Sequence, residues 1–169
     1  MKILRYFLLL CAIIFVKPTI ANNSIRLRLE YNDPVELSQC YLGKKNTITI
    51  ESNLNTDEYF YIAILKKVLG KVYIEAVSDR RTIYGWLELK KGQLYVMLKS
   101  TEAVRIKLYR RPCADEKYLV KEGDGEFDLY PVVDVNIRTG WVSVRYEDGK
   151  CYWVSPEVQC PWYTECYGS

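Results

Sequence analysis

The chain has 169 residues, with 24 basic and 21 acidic side chains and no histidine. The absence of histidine removes the usual zinc sites and the Ser-His and Cys-His nucleophile pairs. Apolar residues make up 49% of the chain and fifteen are tyrosine, a composition that speaks against disorder and for strands.

Residues 1–21 read as a secretory signal peptide. Lys2 and Arg5 are followed by the apolar run YFLLLCAIIFV and then KPTIA, an order that predicts cleavage after Ala21. The run is shorter than the ~20 residues that span a bilayer, so no stable membrane insertion is expected. Cys11 lacks a small residue before it and carries no lipoprotein reading. Without Lys2, Arg5 and Lys17 the remaining chain has 21 basic and 21 acidic side chains. A formally neutral protein gives no argument for nucleic acid as a partner. The expected location is periplasmic or secreted.

Residues 22–45 form an N-terminal extension in which SIRLRLEY alternates with period 2, predicting an added edge strand. Beyond it the chain repeats. ITIESNLNTDE (48–58) aligns with IKLYRRPCADE (106–116), YFYIAI (59–64) with DLYPVV (128–133), and YIEAVSDRRTIYGWL (73–87) with WVSVRYEDGKCYWV (141–154). In this alignment Tyr73 falls on Trp141, Ile74 on Val142, Ala76 on Val144 and Trp86 on Trp153. The repeats define unit 1 at 46–99 and unit 2 at 104–166, with residues 92–105 as the link and an insertion at 117–127. Each unit reads as short alternating strands separated by turn residues, including Ser78-Asp79, Thr139-Gly140 and Asp148-Gly149. Asp148-Gly149 predicts a tight primed hairpin turn.

The order of these features resembles bacterial Src-homology-3-like (SH3b) domains. The matching residues are Trp141, Val142, Val144, Gly149, Trp153 and Val154 in the second copy, and Tyr73, Ile74, Ala76, Gly85, Trp86 and Leu87 in the first. The tail, WVSPEVQC followed by YTEC, is similar to the ending of secreted two-domain SH3-like proteins of Gram-negative bacteria. Tyr152 departs from the glycine common in the family, whereas Gly85 keeps it. The resemblance implies an all-β chain of two tandem small, partly open barrels that bind peptides or cell-wall fragments.

Five cysteines follow residue 21: Cys40, Cys113, Cys151, Cys160 and Cys166. In an oxidising compartment they predict disulfides, and the short PWYTE loop favours pairing Cys160 with Cys166. Cys40 can pair with Cys113 or with Cys151. No zinc spacing is present, and no cofactor is expected. The acidic run EGDGEFD (122–128) lacks the final Glu of a calcium loop and reads as a solvated insertion. Trp141 and Trp153, on strands, are assigned to the core. Tyr130, Tyr146, Trp162 and Tyr163 are the candidate ligand contacts, because Tyr and Trp combine large area with few rotors. The expected function is a non-catalytic binding protein for a peptide, a peptidoglycan fragment or an envelope protein. The alternative is an inhibitor or immunity-type protein that blocks a periplasmic enzyme.

Overall fold

A computed structural model describes residues 25–29, 34–42, 46–50, 60–89, 94–99, 105–123 and 128–160. The signal peptide expected at 1–21, Trp162, Tyr163 and Cys166 lie outside these residues. The fold is all-β. Its strands are β1 (Ile25–Leu29), β2 (Val35–Ser38), β3 (Thr47–Ile50), β4 (Tyr61–Val68), β5 (Lys71–Val77), β6 (Thr82–Glu88) and β7 (Leu94–Leu98), followed by β8 (Ile106–Tyr109), β9 (Leu119–Gly123), β10 (Asp128–Asn136), β11 (Trp141–Arg145), β12 (Cys151–Val154) and β13 (Gln159–Cys160). Short 3-10 turns at Glu116–Tyr118 and Pro156–Val158 precede β9 and β13.

The strands form two antiparallel sheets that share β10. One runs β3-β2-β6-β5-β4-β1-β7-β10, with β13 also on β7, and the other runs β10-β11-β12-β8-β9. Among the described residues neither copy closes into a barrel; the path ends at β3 on one side and β9 on the other. Six strands in the order β3-β2-β6-β5-β4-β1 are followed by six in the order β7-β10-β11-β12-β8-β9. The second set repeats the first in reverse, so the copies meet at the antiparallel pair β1–β7 (Arg28↔Tyr95, Leu29↔Leu94) with pseudo-two-fold order.

This order corrects four readings of the sequence. β1 is not an edge strand. It lies between β4 and β7 and joins the copies. β7, within the segment read as a link, is its counterpart. Position in the sheet also pairs β2 with β8 and β3 with β9, so TITI corresponds to LVKEG rather than to IKLY. The Trp86–Trp153 match holds, because Trp86 is paired with Ser38 and Tyr73, and Trp153 with Tyr109 and Ser143. Tyr73 therefore corresponds to Ser143, two residues beyond the Trp141 it was aligned with.

Alternation explains the packing. Val72, Ile74 and Ala76 of β5 and Ile83, Gly85 and Leu87 of β6 point inward, and one apolar core runs through both copies. The β4–β5 hairpin closes through Leu69 and Gly70, with φ of 44° and 81°. This is the primed two-residue turn that suits strand twist. The β11–β12 hairpin is instead a three-residue loop. Gly149 N–H donates to the Tyr146 carbonyl at 2.9 Å, Tyr146 N–H donates to the Lys150 carbonyl at 2.9 Å, and only Gly149 has positive φ, at 76°. That pattern is a type I turn with a glycine bulge rather than the primed turn expected there.

Candidate functional site

The aromatic residues serve the two copies in opposite ways. In copy two Tyr130, Tyr146 and Tyr152 face inward. Tyr130 and Tyr146 were expected as exposed contacts, but they are buried at 4% and 7% exposure. Their rings stack with centroids 5.0 Å apart and planes 8° from parallel, and Tyr152 meets Tyr146 edge-on at 6.2 Å. The Lys121 ammonium lies 4.6 Å from the Tyr146 ring centroid, and Gly123 of β9 approaches the Tyr146 hydroxyl so closely that a Cβ there would stand 3.0 Å from it. The short, small-volume core of copy two needs large rings to fill it. Trp141 and Trp153, assigned to the core from the sequence, instead lie on the face opposite Val142, Val144 and Val154: Trp141 is buried against Tyr109 at 5.2 Å and Trp153 is only half-buried.

A hydroxyl–carboxylate pair fastens this core to the hairpin. Tyr152 Oη donates to Asp148 Oδ2 at 2.7 Å, and Lys150 N–H donates to Asp148 Oδ1 at 3.0 Å. These donors, led by the Tyr152 hydroxyl and aided by the Lys150 and Lys121 charges, hold the Asp148 carboxyl below its ordinary pKa. The same hydrogen bond, with burial and the Asp148 charge, raises the Tyr152 phenol.

In copy one Phe60 is buried in the core, but the rings of β5 and β6 face outward. The inward positions of β5 and β6 already carry aliphatic residues, so alternation places Tyr73, Tyr84 and Trp86 on the opposite face. The cross-strand pairs Tyr73↔Trp86 and Glu75↔Tyr84 bring them into a row. Centroids are 6.3 Å apart for Tyr84–Tyr73, 5.2 Å for Tyr73–Trp86 and 4.9 Å for Trp86–Tyr41. Tyr84 is 45% exposed, and Tyr61 and Val77 extend the exposed apolar surface at the end of β4 and β5. Polar groups bound the row at both ends. Tyr84 Oη donates to Glu75 Oε1 at 2.5 Å, which, with Glu75's charge, raises the Tyr84 phenol above its ordinary pKa. Lys71 Nζ donates to the Tyr41 carbonyl at 3.0 Å and lies 5.3 Å from the Tyr41 ring centroid.

Three positions carry this difference between the copies: Ile62, Ala76 and Gly85 stand where copy two has Tyr130, Tyr146 and Tyr152. Ile64, Ile74 and Gly85 lie side by side across β4, β5 and β6, and Val132, Val144 and Tyr152 do so across β10, β11 and β12. Gly85 thus corresponds to Tyr152. A Cβ on Gly85 would stand 2.6 Å from Leu37 Cβ, so β2 packs directly on β6 in copy one where copy two inserts a ring.

The sequence drew attention to copy two because its aromatics are more numerous there. The usable signal in copy one was their parity: the rings of YIEAV and IYGWL alternate with aliphatic residues, which places them on the face away from the core. The free cysteines among the described residues, Cys40, Cys113 and Cys151, are exposed, and Cys160 lies on β13 opposite Met97. Of the acidic run, Glu122 lies in edge strand β9 with Lys107 at 3.5 Å, while Asp128 opens β10. Among the described residues, no group of three acidic or cysteine side chains is placed to hold a metal. No protein-family model, curated protein or solved structure matches the chain.

Proposed function

We propose that this protein is a non-catalytic envelope binding protein built from two SH3-like copies, and that the outward aromatic row of copy one is its contact surface. The ligand class is a peptide or a cell-wall fragment. The observation that carries the reading is the row Tyr84–Tyr73–Trp86–Tyr41, with centroid spacings of 4.9 to 6.3 Å on a partly exposed sheet face. Ring faces at that spacing can stack on sugar rings or receive apolar side chains, and Glu75 and Lys71 supply polar contacts at either end. The basic-apolar-polar order of residues 1–21 supports an extracytoplasmic location. A Cys160–Cys166 bridge belongs to the same proposal, as a staple for the tail.

The test is co-sedimentation of the purified protein with insoluble peptidoglycan, followed by titration with soluble muropeptides. Tyr84→Ala and Trp86→Ala are expected to weaken binding about tenfold or more, in the range of hot-spot aromatics. Tyr130→Phe, in the buried stack, should leave binding unchanged. Retention of full affinity by both copy-one variants would refute the assignment of this face.

A further inference from the structure

The two copies carry β-bulges at corresponding places. In copy one the β4–β5 register shifts between Ile64 and Lys66, and in copy two the β10–β11 register shifts between Val132 and Asp134. Each shift falls where the strand leaves its partner at the centre of the molecule, since β4 pairs β1 as far as Ile64 and β10 pairs β7 as far as Pro131. Bulges bend a strand and increase its twist. Beyond them the two strand ends come together: the Lys67 ammonium pairs with the Asp134 carboxylate and donates to the Val135 carbonyl at 3.1 Å.

An open groove of about 720 Å³ lies beside this contact, at the junction of the copies. Leu65, expelled by its bulge and 39% exposed, lines it together with Ile137 and the half-buried Trp153. Lys66 and Arg138 line it as well, both exposed. The groove's one carboxylate, Asp134, is already paired with Lys67. Neither Lys66 nor Arg138 has an ion-pair partner among the described residues. The groove therefore offers two free cations over an apolar surface, and its chemistry is unlike that of the aromatic row.

We propose that this groove binds a short peptide by its free terminal carboxylate. The carboxylate sits between Arg138 and Lys66, and the apolar side chain of the last residue lies against Leu65 and Trp153. Guanidinium matches a carboxylate through two parallel hydrogen bonds, and lysine adds a second charge. A phosphate or an extended polyanion would leave the apolar part of the groove unused, and an amidated peptide would leave both cations without a partner.

The test is an NMR titration of the purified protein with acetyl-Ala-Leu, its amide acetyl-Ala-Leu-NH2, and hexanoate. The free acid is expected to shift resonances of residues 65–67, 134–138 and 153, and to bind at least about tenfold more tightly than the amide, as for a charge-assisted contact. Arg138→Gln and Lys66→Gln, both exposed and safe for folding, should each remove most of that preference, whereas Tyr84→Ala should not alter it. Equal binding of acid and amide would overturn the proposal. So would equal binding of hexanoate, which would reduce the site to a carboxylate receptor without peptide selectivity, or shifts confined to the aromatic row, which would locate the peptide elsewhere.

Discussion

Copy one and copy two share a strand order and differ in where their aromatic rings go. Copy one fills its interior with aliphatic side chains, Phe60 and a glycine, and turns Tyr73, Tyr84 and Trp86 to the outside, with Tyr84 and Tyr61 exposed. Copy two fills its interior with the Tyr130–Tyr146 stack and the edge of Tyr152. An aromatic ring buries 150–250 Å², so the same residue type gives stability in one copy and a contact surface in the other. Aromatic content therefore does not locate a binding face; the parity of each ring along its strand and what packs over that face do so together, since Trp141 lies on the outward face and is still buried.

Exchanging the residues that distinguish the copies tests this most severely. Tyr152→Gly should remove the edge partner of Tyr146 and the donor to Asp148, lowering the melting temperature by roughly 10 °C, as large core truncations do. The converse change, Gly85→Ala, should cost about 1–3 kcal/mol because its Cβ meets the rigid root of Leu37. Calorimetry of both variants checks the pair, and a neutral Gly85→Ala would show that β2 is not held against β6 as described.

The hairpins give a smaller effect of opposite sign. Leu69 is 90% exposed and holds a φ of 44°, where a branched side chain is strained. Leu69→Asn should stabilise the protein by about 1 kcal/mol, since asparagine favours the first position of this turn. Denaturant melts with an unchanged m-value would establish the gain. Copy two has no equivalent gain to make, because Gly140 occupies the position of positive φ in the corresponding β10–β11 turn.

The smallest effect is electrostatic. Asp148 has a lowered pKa in the folded protein, so its contribution is present above the carboxyl's unfolded pKa and is lost as pH falls through the lower, folded value. The raised Tyr152 phenol contributes below its unfolded pKa and loses that contribution as pH rises through its higher folded value. Tyr152→Phe should therefore lower stability across the neutral range, where both contributions are present, and flatten the acid and alkaline limbs so that variant and parent converge at the pH extremes. Melting temperature recorded against pH for this variant and the parent is the measurement. Identical acid and alkaline limbs would show that the pair contributes nothing.

Much of the architecture was legible in the sequence because strands write their faces at period 2. The alternations of TITI, YIEA and WVSVR fall on β3, β5 and β11, and Asp148-Gly149 marked a real hairpin. The same periodicity hid the register. A slip of two residues keeps every side chain on its own face, so Tyr73 could be matched to Trp141 instead of Ser143 without disturbing the pattern. For the same reason TITI could be matched to the wrong strand of copy two. The Leu69-Gly70 turn was not read, because leucine is not a turn residue by preference.

The sequence by itself determined the all-β character, the twofold repetition and the positions of the β5–β6, β10–β11 and β11–β12 hairpins, since these follow from local alternation and turn chemistry. The tertiary structure alone decided that β1 is central, that Tyr130 and Tyr146 are interior, and that Lys67 and Asp134 join the copies. Those outcomes depend on which strand lies beside which and on where a bulge turns a strand end. Pairing of strands far apart in the chain leaves no local mark on either of them.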